Sequence, residues 1–200
     1  MRQAARQFVD SLKDAPGISP LHAEVTMQVV NLCDATDRLP VQPLQALVAR
    51  LEEQIEAEAK EQQVGMNDLH QRLLSLAYVA QRGSHPGIAD RILQRHATQM
   101  MEIGNPVTVK LLGVVLARQQ LDQGHPENVA GRLRVQLDGT ELYQARVVLR
   151  DAYRAMGNKQ AADEQNRWLV ANGGRAWAEV VIAQQLQPIN VLDLMASQPG

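Results

Sequence analysis

The chain has 200 residues, 45% of them hydrophobic and 21% charged, a balance that suits one folded unit or a short array and excludes wholesale disorder. Its formal net charge is −2 and its pI about 6.2, so no global positive field exists to hold a phosphate backbone, and nucleic acid is not expected as a partner. No apolar run approaches the ~18 residues of a membrane span, and the amphipathic start "MRQAARQFVDSLKD" lacks the apolar core of a signal peptide, so a cytoplasmic protein without membrane insertion is expected.

Apolar residues recur at helical spacing from end to end, and period-two alternation is almost absent, which predicts an all-α fold. The few aromatic residues, Phe8, Tyr78, Tyr143, Tyr153, Trp168 and Trp177, leave the core to Leu, Val, Ile and Ala, which suits closely packed helices. A first helix over 2–14 places Ala5, Phe8, Val9 and Leu12 on one face. A second has Ser19 as N-cap and Pro20 in its first turn, with Leu21, Val25, Val29 and Leu32 inward. Cys33 lies on the apolar face of that helix, where a buried thiol is expected in preference to a nucleophile. A third helix over 43–62 carries the stripe Leu44, Val48, Leu51 and Ile55. Its charged remainder, with Glu52, Glu53, Glu56 and Glu58, reads as a solvated face, with a coiled-coil or dimer seam as the competing reading.

Val64–Gly65 marks a boundary between an N-terminal helical segment, 1–63, and the remainder of the chain. Helices are then predicted over 67–82, 86–103, 106–123, 126–137 and 141–156, each ending at a glycine expected to form a left-handed cap and several followed by proline. Such short connections force antiparallel neighbours. "NGGR" at 172–175 reads as a helix-ending turn. Beyond it "GGRAWAEVVIAQQLQ", with Trp177, Val181, Ile182 and Leu186, would be a capping helix, and 188–200 a tail whose Ile189, Val191, Leu192 and Leu194 would dock on a helical surface.

Aligned on Gly83, Gly124 and Gly157, the chain shows internal similarity: "RGSHPGIADRILQ", "QGHPENVAGRLRV" and "MGNKQAADEQNRWL", with glycines 41 and 33 residues apart. On Leu149, Tyr153, Gly157 and Ala162, residues 142–171 resemble a tetratricopeptide repeat, and the likeness extends in weaker form over about 67–172. Arg146, Arg150 and Asn166 depart from the family's pattern. The resemblance implies an α-solenoid of tetratricopeptide-like antiparallel hairpins over 64–187, with 1–63 as an N-terminal extension that caps the stack or dimerises. A single unit cannot bury its own apolar face, so neighbours must supply the missing surface. In such a stack the first helix of each hairpin lines a groove, which on the glycine alignment carries His70, Leu73, Ala77 and Ala80, then Leu111, Val114, Arg118 and Leu121, then Gln144, Val147, Asp151 and Arg154. That surface would suit an amphipathic helix or extended peptide with apolar anchors and an acidic group.

Nothing in the chain announces chemistry. His22, His70, His85, His96 and His125 form no HExxH, and one cysteine allows neither a CxxC zinc site nor an intrachain disulfide. No nucleophile elbow or phosphate loop is present. The expectation is therefore a protein–protein interaction scaffold, adaptor or chaperone that binds another protein or peptide, with no cofactor, no metal and no catalytic residues. A regulatory module of a bacterial signalling assembly, homodimeric through 1–63, is the alternative, and a helical enzyme with an unrecognised site is the third reading.

Overall fold

The computed structural model describes residues 41–61, 65–83, 85–136 and 142–184, and single positions 7, 10, 12, 26, 27, 29 and 30 nearer the start. Seven helices succeed one another in the continuous part: α1 (Val41–Lys60), α2 (Met66–Arg82), α3 (Pro86–Ile103), α4 (Pro106–Asp122), α5 (Pro126–Gln136), α6 (Tyr143–Ala155) and α7 (Lys159–Gln184). Among the described residues there is no strand, and the fold is all-α. The expectations on Leu21, Val25, Cys33, Leu44, Trp177, Val181, Ile182, Leu186 and the tail 188–200 fall outside the described side chains.

Local chemistry sets the helix ends. Pro86, Pro106 and Pro126 each open a helix, where a missing N–H costs nothing and the fixed φ is already helical. The Asn105 side chain caps α4 by accepting the Thr108 N–H at 2.9 Å, and the Asn158 side chain accepts the Ala161 N–H at 3.2 Å at the start of α7. The glycines at the breaks divide into two kinds, contrary to the expectation of left-handed caps throughout. Gly124 and Gly157 are left-handed, at φ 86° and 72°. Gly83 and Gly104 are not, at φ −89° and −66°. Gly104 is instead required by close approach, because a Cβ there would overlap the Met100 carbonyl oxygen.

The turn expected at "NGGR" does not form: α7 runs through it as one helix of 26 residues. Asn172 donates its side-chain N–H to the Trp168 carbonyl at 2.8 Å, one turn back along the same helix. Gly173 has an ordinary backbone angle and open space where a Cβ would stand. Two glycines in a helix cost about 1 kcal/mol each relative to alanine.

Consecutive helices pair as α2 on α3, α4 on α5 and α6 on α7. The first helix of each pair also packs on the first helix of the next, α2 on α4 and α4 on α6, while α1 packs on α2. One apolar cluster runs through all of this, from Leu47, Val48, Leu51 and Ile55 of α1 to Leu149, Ala152, Tyr153 and Ala162 at the last hairpin. The acidic run of α1 is not simply a solvated face. Glu52 grips Arg91 with both oxygens, Glu56 meets Arg95 at 3.4 Å, and Glu58 meets Arg72 at 2.8 Å, so these residues form an ion-pair seam against α2 and α3.

Candidate functional site

The three hairpin turns share one backbone feature. The N–H of His85 donates to the Ala80 carbonyl at 2.7 Å, that of His125 to Gln120 at 3.0 Å, and that of Asn158 to Tyr153 at 2.9 Å. Each is the long bond of a helix C-terminal motif, closing from just beyond the turn to the last helical residues. His85, His125 and Asn158 are thus the equivalent positions. The glycine alignment is one residue out in the first hairpin, because Gly83-Ser84-His85 contains one residue more than Gly124-His125.

A shift of one residue turns a helix by about 100°. The positions of α2 equivalent to Leu111, Val114, Arg118 and Leu121 are therefore Gln71, Leu74, Tyr78 and Gln81, in place of His70, Leu73, Ala77 and Ala80. Side-chain contacts agree. Gln71 donates to the Thr108 hydroxyl at 3.4 Å and Gln81 to the Val115 carbonyl at 3.0 Å, both on α4. His70 lies instead within its own hairpin, its ring 6.2 Å from that of His96 on α3. Leu73, Ala77 and Ala80 are buried as well.

On the corrected register, Tyr78, Arg118 and Asp151 occupy the same position on three successive first helices, and the structure brings them together. Asp151 is the hub. Its Oδ2 accepts from Arg82 at 2.7 Å and Arg118 at 3.1 Å, and its Oδ1 accepts from the Arg150 Nε and Nη2 at 3.0 and 2.9 Å, with Arg154 at 3.7 Å. Arg118 also pairs with Asp122 at 3.0 Å. Arg82 and Arg150 are buried, and Tyr78 beneath them is fully buried. Burial pushes the Tyr78 hydroxyl's pKa up, opposed by the nearby charges of Arg82, Arg118 and Arg150 and reinforced by Asp151.

Gln144 and Val147 continue the Asp151 stripe down α6, and both are buried. Gln144 donates to the Met27 sulfur at 3.7 Å, so a residue 117 positions earlier in the chain sits on this stripe. Leu111 and Val114 are buried on α4 and Leu121 is half-buried, while Arg154 alone of the expected groove residues is exposed. The face on which α2, α4 and α6 converge is therefore closed in this state. At the level of Asp151 a direct ion pair joins α2 to α6, and a partner helix about 10 Å across cannot stand between them while that bond persists.

Elsewhere, His70 is buried with neither ring nitrogen in a hydrogen bond of normal geometry. Burial lowers its pKa, the Gln99 side chain opposes this, and His96 adds to it. Burial also lowers the pKa of His96, with Arg95 adding and Glu56 opposing. At the α6–α7 seam the Arg146 guanidinium lies 4.8 Å from the Trp168 ring centre, and Tyr143 lies 6.2 Å from the same ring. Among the described residues no three His, Cys, Asp or Glu side chains gather as metal ligands, and no helix is long and apolar enough to cross a membrane. Comparison of the chain with protein-family models, with curated proteins and with solved structures gives no match.

Proposed function

We propose that the chain is a helical-repeat scaffold, an adaptor or chaperone whose convergent face of α2, α4 and α6 receives a segment of another protein. The observation that carries this reading is the recurrence of one turn bond at His85, His125 and Asn158, together with the packing of each first helix on the next. That order of contacts is the one a tetratricopeptide-like α-solenoid requires, where equivalent positions of successive units line up on a common face. On this face the aligned positions carry apolar side chains through Leu74, Leu111, Val114 and Val147 and an arginine-rich patch around Asp151, and Arg154 presents its charge at the exposed rim. Apolar anchors with a cationic rim fit an amphipathic helix bearing an acidic residue, the apolar part supplying affinity and the charge supplying orientation.

The test is site-specific photo-crosslinking in cells. A photoreactive residue at Leu121 or Arg154, beside the face, should trap one recurring polypeptide, and the same residue at Arg132, exposed on α5, should not. Equal trapping from Arg132 would move the interaction off this face, and no trapping from any position would remove the scaffold reading.

A further inference from the structure

Exposed apolar side chains gather at one corner of the molecule. Among the described residues six large ones are exposed, and four of them, Met66, Met101, Ile103 and Val107, stand 45–60% open around the turn from α3 to α4. Pro106 in the same turn is exposed as well. The Asn67 side chain accepts the Asn105 N–H at 2.9 Å, which sets Met66, at the start of α2, beside that turn. Gly104 closes the turn against the Met100 carbonyl and the Thr108 side chain. Apolar side chains exposed singly are ordinary, but a cluster with a polar rim marks a contact surface.

The rim carries two opposite charges that the chain itself leaves unanswered. Glu102 lies in the last turn of α3, which has no basic residue, so its charge adds to the negative end of the helix instead of offsetting it. Lys110 is exposed on α4, whose first turn has no acidic residue. Neither forms an ion pair with another described residue. Asp68 and Lys60, close by in the chain, differ in sitting at the helix ends that suit their charge, the start of α2 and the finish of α1, and Glu61 has a partner. A ligand of one sign would answer half of such a rim. A second copy of the same corner, turned about a two-fold axis, brings Lys110 to Glu102 and Glu102 to Lys110 at once.

We propose that this corner is a homodimer contact, in which Met66, Met101, Ile103 and Val107 of two copies pack together and Glu102 of each pairs with Lys110 of the other. The surface is small beside the roughly 20–30 residues a side of a stable interface, so the dimer is a weak one that forms at high concentration. It lies at the far end of α2 from Arg82, about 24 Å along the helix, and pairing here does not cover the face around Asp151. The inference is therefore independent of the scaffold reading.

Sedimentation of the intact chain from about 1 μM to about 1 mM, at low salt, tests it. Monomers should give way to dimers as concentration rises. Met101→Asp/Val107→Asp, both at exposed positions, should stay monomeric while keeping the helical circular dichroism of the unchanged chain. Glu102→Lys and Lys110→Glu should each weaken the dimer about tenfold or more, because both symmetry-related pairs become like-charged. Mixed in equal amounts, those two variants should dimerise again, since every such pair between them is then of opposite sign. A chain that stays monomeric throughout would give the corner to a different occupant and overturn the inference. A dimer that survives Met101→Asp/Val107→Asp would lie elsewhere, as at 1–63, and overturn it equally. Should that variant fail to fold, the charge variants decide alone, a mixture that dimerises no better than its components being the contrary result.

Discussion

The first and third hairpins make the same turn with the glycine in different places. In the third the cap residue is Met156, at φ −78°, and the left-handed Gly157 follows it at φ 72°; in the first Gly83 is itself the cap residue, at φ −89°, one position earlier in the turn. Both end with an N–H bonded to the carbonyl five residues back, His85 to Ala80 and Asn158 to Tyr153. What the two share is the satisfied carbonyl at the helix end, and the glycine does not mark the same position in both. The hairpins also differ in polar content. The third contributes the carboxylate on which α2, α4 and α6 converge, whereas the first buries a histidine inside itself.

The strongest way to break this contrast is Asp151→Asn. It leaves the buried guanidinium groups of Arg82 and Arg150 without the carboxylate they share, and loss of one partner from a buried ion pair costs about 3 kcal/mol or more. Denaturant unfolding should show that loss, and a midpoint within error of the unchanged protein would deny the hub its role.

Gly157→Val comes next. Nothing lies within 4 Å of where its Cβ would stand, so the penalty is purely conformational, about 1–3 kcal/mol for a β-branched residue in the left-handed region. Melting temperatures equal to wild type would show that the turn does not need that angle.

The buried histidine of the first hairpin makes the third test one of pH. The pKa values of His70 and His96 are lowered in the folded protein, so on acidification the unfolded chain takes up protons first, near its ordinary value of about 6.5. Their contribution is complete above that pH and is lost as pH falls from there toward the depressed folded values. Stability should be lower at pH 5.5 than at pH 7.5, and His70→Leu should flatten that dependence; an unaltered slope in the variant would assign the acid sensitivity elsewhere. The smallest effect belongs to Arg154→Glu. With its side chain 52% exposed and its carboxylate partner 3.7 Å away, it should change stability by no more than about 0.5 kcal/mol while weakening capture of an acidic partner. A large stability loss would mean that Arg154 is structural.

Much of the fold was legible in the sequence because helix ends are written locally. Glycine breaks followed by proline located α2 to α6 to within about two residues. The register of the first hairpin was not, since Gly83 stands at the cap position while Gly124 and Gly157 follow theirs by one residue. The recurring His-Pro pair, His85-Pro86 and His125-Pro126, was the better one: it spaces the first two units 40 residues apart and aligns Tyr78 with Arg118 and Asp151. Run-through at Gly173 was not legible, because a glycine pair after an asparagine reads locally as a stop. The Asp151 hub needed the fold, since Arg82 lies 69 residues from it in sequence, and Met27 on the Gln144 stripe is more distant still.

Those long reaches alter how the helices behave as a whole. In an array where each hairpin touches only its neighbours, the end unit can fray without consequence for the first. Here Arg82 and Asp151 tie the first hairpin to the third, past the one between them. Melting of α6 then removes a charge partner from α2 as well as the neighbour of α4. The pairing couples the outer two hairpins directly, and it joins residues 69 apart in sequence.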